Sequence, residues 1–195
     1  MTMDKGQLRQ QLQGRMRELT QQQRAEKSKK ACRNLIKTPE FDSAAVIMMY
    51  LSLPHEADTA PAILYAWQHG KTIAVPKISW QQRHMIAVEI HSLETGIMTE
   101  ASGLRSPARG VPIPVEEIGL VVTPGLGFDR KGNRLGRGQA YYDRFFDSEG
   151  FGAVKCGFGL ADQVIDSIPS HDHDKQMDLL VTDEDVIYFT CREEK

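Results

Sequence analysis

Helical segments alternating with short apolar runs predict an α/β fold. The expected architecture is a three-layer sandwich, its mainly parallel central sheet flanked by helices, with a ligand cleft at the strand C-terminal ends. Three observations carry this reading. The run Ala44–Leu51 is apolar throughout and bounded by polar and proline signals, as a strand buried on both faces should be. A helical stretch and a second apolar run follow it, completing a βαβ unit. Two loops, 51–58 and 124–140, then leave predicted strands, and the second is far longer than a strand-to-helix connection requires.

Residues 4–37 predict two helices. Leu8, Leu12, Met16 and Leu19 recur at helical spacing and build one apolar stripe. Thr20-Gln21-Gln22-Gln23 fits a capping box, so a second helix is expected from about 21 to 37. It stops before Thr38-Pro39, because the residue preceding a proline is pushed out of the helical region. Thr59 can cap a helix over 59–70, with Pro61 in its first turn and Gly70 closing it. Lys71–Pro76 is the next strand and 85–90 a third. Residues 95–115, with Gly96, Gly103, Gly110 and three prolines, are expected to be irregular. Strands at 119–123 and 153–158, a helix over 141–147, and two short late strands at Leu179–Thr182 and Val186–Phe189 complete the set. Met48-Met49 and Phe145-Phe146 are expected in the core. No repeat, low-complexity tract or linker divides the chain, so one domain is expected across 1–195.

Net charge is −2 with 26% charged residues, a balance that argues against nucleic acid as a partner. Cys32, Cys156 and Cys191 are scattered, without a C-x-x-C pair, and read as reduced thiols rather than a disulfide framework or zinc site. Polar residues after Met1 leave no signal-peptide core, and the longest apolar run is too short to span a bilayer. The expectation is a cytoplasmic protein with no membrane partner, monomeric, with a weak homodimer as the alternative.

The segment from Val121 to Arg144 carries most of the functional information. A strand leads into a loop rich in glycine and arginine, then into Tyr141-Tyr142-Asp143-Arg144, which can open a helix. Glycines let backbone N–H groups approach an anion, arginines offer fixed forks to phosphate oxygens, and a helix N-terminus adds partial positive charge. Asp143 has the wrong sign for phosphate and the right one for a magnesium ion bridging phosphates. Two common nucleotide fingerprints are excluded. Gly132 and Gly136 are not followed by Lys-Ser or Lys-Thr, and Tyr141 stands where G-x-G-x-x-G needs its third glycine. A glycine-rich surface loop with solvated arginines remains open on composition alone.

Elsewhere, Lys5 and Arg9 lie four apart on one helix face, able to converge on phosphates or merely to be solvated. Glu56, taken alone, reads as an ordinary loop carboxylate. Tyr141, beside a helix start, reads by itself as packing. His171-Asp172-His173-Asp174 reads as a polar turn after Pro169-Ser170 rather than a transition-metal site.

The ordered set of motifs resembles the 5-formyltetrahydrofolate cyclo-ligases, also called methenyltetrahydrofolate synthetases. Pro124-Gly125-Leu126-Gly127-Phe128-Asp129, Gly132-x-Arg134-Leu135-Gly136-x-Gly138 and Tyr141-Tyr142-Asp143 resemble the family signature. Lys5-Gly6-Gln7-Leu8-Arg9, Tyr50 to Thr59, Gly70-Lys71 with Val75-Pro76-Lys77, and the block from Gln163 to Thr182 resemble its other elements in the same order. The resemblance implies that Lys5 and Arg9, with Arg134, Leu135, Gly136, Arg137, Gly138, Gln139, Ala140, Tyr141 and Tyr142, hold ATP. It implies that Leu51, Glu56, Arg137, Gly138 and Tyr141 contact a reduced folate, that Arg134 and Arg137 serve catalysis, and that Asp143 and Asp174 serve magnesium. The implied reaction closes 5-formyltetrahydrofolate to 5,10-methenyltetrahydrofolate through a phosphorylated formyl oxygen. Another ATP-dependent small-molecule ligase or kinase, and a non-catalytic nucleotide- or folate-binding protein, remain the alternatives. The chain departs from the family pattern at Gln139-Ala140, where many members carry consecutive glycines. Around Gly103-Leu104-Arg105-Ser106-Pro107 it lacks an aromatic residue that some members have nearby.

Overall fold

A computed structural model of the protein describes residues 3–100 and 103–189. Helices α1 (Lys5–Glu18) and α2 (Gln21–Ile36) each open on a capping box, Asp4 with Gln7 and Thr20 with Gln23. The second is the box expected from sequence. After α2 the chain turns first into a short helix, α3 (Pro39–Ser43), with the Thr38 hydroxyl accepting from Phe41 N. Pro39 therefore both excludes continuation of α2 and starts the next helix, since a proline in the first turn loses no intrahelical hydrogen bond.

Strand β1 (Val46–Met49), helix α4 (Ala60–Gln68) and strand β2 (Thr72–Ser79) form the βαβ unit, with β1 and β2 parallel. Thr59 does not cap α4 through its side chain. Its hydroxyl donates instead to Tyr50 O at 2.6 Å, while Asp58 Oδ1 accepts from Ala60 N at 3.0 Å. Burial beside the end of β1 gives the threonine a tertiary partner that local sequence cannot show. Gly70, at φ +70°, reverses the chain into β2.

Strand β3 (His84–Glu89) returns antiparallel on β2. The stretch expected to be irregular holds three short strands: β4 (Ile97–Thr99) pairs with β5 (Arg105–Pro107), and β6 (Pro112–Ile113) adds to β3. Strands this short leave no usable alternation in the sequence. Next come β7 (Leu120–Pro124), β8 (Gly127–Asp129), β9 (Arg134–Leu135), α5 (Tyr141–Phe146), β10 (Val154–Phe158), β11 (Val164–Ile165), β12 (Leu179–Val181) and β13 (Val186–Tyr188).

The main sheet runs β13-β12-β10-β7-β1-β2-β3-β6. From β12 to β2 the neighbours are parallel, and antiparallel strands occupy only the two margins. Alternation along β1 separates the faces: Ile47 and Met49 join Leu35, Phe41 and Ile63 from α2, α3 and α4, whereas Met48 joins Phe145 and Phe146 from α5. Helices thus cover both faces, as expected, although among the described residues the second layer is thinner, with α5, a 3-10 turn at Val115–Glu117 and loops.

The 124–140 connection is an ordered hairpin rather than an open loop. β8 and β9 pair antiparallel, β11 adds parallel to β8, and α1 packs Leu8 and Leu12 against Leu135 and Ile168. Gly127 makes room for that helix, since a Cβ there would lie 2.5 Å from Leu12 Cδ1. At the hairpin turn the fully buried Asp129 carboxylate accepts from Lys131 N, Asn133 N, Asn133 Nδ2 and Ile168 N, each at 2.9 Å. Removing that acceptor strands buried donors at about 1–3 kcal/mol each. Asp129→Ala should therefore lose about 3 kcal/mol or more of stability, read as an earlier urea midpoint. A midpoint equal to wild type would refute this anchoring role.

Candidate active site

At the carboxyl ends of the parallel strands the chain leaves a cleft of about 470 Å³. Its position follows from the topology, because β1 and β7 are adjacent and their following segments face each other across the sheet edge. The post-β1 loop is pinned from both sides: Tyr50 Oη donates to Ala57 O at 2.7 Å, and Thr59 returns a bond to Tyr50 O. Ser28 Oγ further accepts from Asp58 N, tying the loop to α2.

Every residue that the sequence singled out for ligand or metal contact lines this cleft. Lys5 and Arg9 reach it from α1, Leu51 and Glu56 from the post-β1 loop, and Asp174 from the late loop. Arg134, Leu135, Gly136, Arg137, Gly138, Gln139, Ala140, Tyr141, Tyr142 and Asp143 form a continuous stretch of its lining.

The charges are arranged in pairs. Lys5 Nζ lies 2.6 Å from Asp174 Oδ2, Arg134 Nη2 3.1 Å from Asp143 Oδ2, and Arg137 Nη2 2.9 Å from Glu56 Oε1. Arg9 instead donates through Nε to Gly136 O at 3.0 Å. Partial burial pushes the Asp174 carboxyl up, but the Lys5 ammonium and the His171 N–H outweigh it and hold the group below its ordinary value of 3.8. Beneath them, Arg134 Nε and Tyr142 Oη are buried without a hydrogen-bond partner. Burial raises the Tyr142 phenol far above its ordinary range despite the Arg134 guanidinium over its ring, so it stays a neutral donor. Two unsatisfied donors at one place invite an acceptor-rich ligand.

Part of the cleft lining is apolar. Ile78, Trp80 and Met85 line it, and Trp80 meets Tyr141 edge-on with ring centroids 5.6 Å apart. Trp80 Nε1 donates to Glu100 Oε2 at 3.0 Å, which fixes an otherwise half-exposed indole. Sequence reasoning missed this tryptophan because it sits at the β2–β3 turn, outside any motif. Its place beside Pro76-Lys77, one turn beyond a strand end, was the available signal. His171 and His173 also line the cleft, their rings stacked at 5.6 Å. Their segment is a turn, as expected: Asp174 N donates to His171 O, and His171 N to Asp174 Oδ2.

Asp143 and Asp174 adjoin, since Lys175 N donates to Asp143 Oδ1 at 3.2 Å. Among the described residues, no group of three or more His, Cys, Asp or Glu is placed to hold a metal by itself. Two hard carboxylates fit magnesium only as part of a shell completed by ligand phosphates and water. Cys32 and Cys156 are buried free thiols, Cys32 pushed up to about 12 by burial, and neither reaches the cleft; Cys191 lies outside the described residues.

A parallel α/β sheet with a cationic, donor-rich pocket that also carries an aromatic pair defines a small-molecule site of the nucleotide-using enzyme type. The chain belongs to the 5-formyltetrahydrofolate cyclo-ligase family, whose model matches residues 1–183. It is 28% identical over 181 residues to the mouse (Mus musculus) 5-formyltetrahydrofolate cyclo-ligase, covering 88% of this chain and 89% of that one. It is 25% identical over 172 residues to the Escherichia coli K12 protein of the same name, covering 86% and 94%. The solved 5,10-methenyltetrahydrofolate synthetase of Aquifex aeolicus superposes with a TM-score of 0.84 at 27% identity, covering 99% of this chain and 95% of that one.

Ala140 is where the departure from glycine becomes visible, for it adopts φ +51°, ψ +29° immediately before α5. A left-handed backbone costs an L-residue roughly 1–2 kcal/mol, against which glycine's extra unfolded-state freedom must be set. Ala140→Gly should therefore be neutral or stabilising by up to about 1 kcal/mol, whereas Ala140→Val should destabilise by at least about 1 kcal/mol. The reverse order of urea midpoints would contradict the left-handed assignment. For Asp174, a depressed folded-state pKa contributes stability above the ordinary value of 3.8 and loses it as pH falls through the lowered one. Being partly exposed, the pair should separate wild type from Asp174→Asn by no more than about 1 kcal/mol at pH 7. That difference should shrink on acidification below 3.8, and one that grows there would have the wrong sign.

Proposed function

We propose that this protein converts 5-formyltetrahydrofolate to 5,10-methenyltetrahydrofolate with consumption of ATP. The observation that carries the reading is the cleft itself: it is lined by cations, by residues with unpartnered buried donors and by the Trp80–Tyr141 pair, in a chain of this family. The formyl oxygen is a poor leaving group until it is phosphorylated. In the proposed route the γ-phosphoryl group passes from ATP to that oxygen, leaving ADP. N10 attacks the formyl carbon and loses its proton, and phosphate departs with the former formyl oxygen.

Such a transfer asks for alignment and charge neutralisation, not for a protein nucleophile. Lys5, Arg9 and Arg137 would hold the triphosphate, with the 135–142 backbone around it, and Arg134 would stabilise the transferring group from the floor. Glu56 would accept from the amino-pyrimidine, with Leu51 and the Trp80–Tyr141 pair against the ring. Asp143 and Asp174 would hold magnesium together with the phosphates, and the metal would supply further neutralisation. We also propose that residues 1–195 act as one catalytic unit, a cytoplasmic monomer. No described helix is long and apolar enough to cross a membrane.

The test follows methenyl-folate absorbance on mixing the protein with 5-formyltetrahydrofolate and MgATP. Wild type should form product, and Arg134→Ala should lower kcat by about 10²- to 10³-fold, as removal of a preorganised charge stabiliser does. Absence of product from folded wild type would refute the activity. Undiminished turnover in the variant would refute the role of Arg134.

A further inference from the structure

Of the charge pairs lining the cleft, one has a carboxylate assigned to the folate rather than to the metal. Arg137 and Glu56 stand 81 residues apart in sequence and join the two sides of the cleft. The two ends of this pair are held unequally. Glu56 is 12% exposed, and its second oxygen accepts from Leu53 N at 3.0 Å, so the carboxylate is fixed by its own loop. Arg137 is 51% exposed, with Glu56 its ion-pair partner, and is the movable end. An amino-pyrimidine docked edge-on would bring its adjacent N–H donors to the same carboxylate and compete with the guanidinium for Glu56 Oε1. Lys5 and Arg134 differ in this respect, since neither Asp174 nor Asp143 is expected to receive the folate.

We propose that Glu56 positions Arg137 as well as the pterin: in the free protein it withholds this arginine from the phosphate site, and folate binding releases it to ATP. The two substrates then bind with positive coupling, which by linkage is mutual. The coupling also limits capture of ATP when no folate is present. This rests on the function proposed above and adds to it a reason for the two substrates to bind together. The pair is half exposed, so its release is expected to change ATP affinity by about three- to fivefold, not by orders of magnitude.

Titration calorimetry with MgATP tests it, with and without saturating 5-methyltetrahydrofolate, whose methyl group offers no oxygen for phosphorylation. Wild type should bind MgATP about three- to fivefold more tightly when the folate is present. Glu56→Gln should already bind MgATP that much more tightly without folate, and gain nothing on its addition. Arg137→Ala should lose the folate-induced gain, binding MgATP equally well with and without the folate. Unchanged ATP affinity in folate-free Glu56→Gln overturns the proposal, as does a folate-induced gain that persists in Arg137→Ala. Because Arg137 is exposed, its variant keeps the test available if Glu56→Gln fails to fold. Failure of the parent reading looks different: wild type then binds no MgATP, or binds it and forms no methenyl product from 5-formyltetrahydrofolate.

Discussion

The Asp129 carboxylate is the fixed point from which the cleft is built. It is fully buried, and hydrogen-bond donors from its own hairpin and from the Ile168 segment converge on its two oxygens. A buried charge of this kind is tolerable only when its lone pairs are filled by donors. Here those donors close the β8–β9 turn and tie it to the chain that leads toward His171 and Asp174. Phe128, beside it, reaches into the sheet, where a Cβ on Gly125 or Gly157 would come within 2.7 or 2.8 Å of the ring. Polar anchoring at one residue and tight apolar packing at the next therefore set where Arg134 and its neighbours stand.

Electrostatics across the cleft is a matter of exchange as well as of surplus positive charge, with five Lys and Arg side chains lining it against three carboxylates. Three cations face it already paired with carboxylates, and a phosphate chain entering alone would meet those acids as well as the cations. An anionic ligand that arrives with a divalent ion suits such a site, since the ion can take the carboxylates while the phosphates take the cations. The pairing keeps desolvated charges from standing alone before ligands arrive. Among the described residues lining the cleft, Arg134 Nε and Tyr142 Oη are buried donors with no internal partner.

Much of the architecture was legible because its signals are local. The apolar run 44–51, the Thr20 capping box and the glycine after α4 each state their structure within a few residues. What stayed hidden depended on partners distant in sequence. Thr59 gave up its cap for Tyr50 O, the 95–115 stretch organised into strands too short to show a period, and the long post-β7 segment folded as a hairpin because Asp129 and α1 hold it. In the site, the glycine–arginine segment, Lys5, Arg9, Glu56 and Asp174 were recognisable from type and order. Trp80 lies outside any motif and the His171–Asp174 stretch reads from sequence as a polar turn, and only the folding of the β2–β3 turn and the late loop brings Trp80, His171 and His173 to the cleft.

By itself, then, the sequence determined the fold class, the family resemblance and the inventory of cleft residues, because hydropathy period, capping and residue chemistry are properties of short segments. Tertiary structure alone decided who partners whom. That Glu56 meets Arg137, that Asp143 and Asp174 face Arg134 and Lys5, and that Ala140 sits in a left-handed backbone all follow from how the sheet edge and its loops are brought together. The physical reason is range: ion pairs act over a few ångströms in space, and the residues that make these three lie 9, 81 and 169 positions apart along the chain.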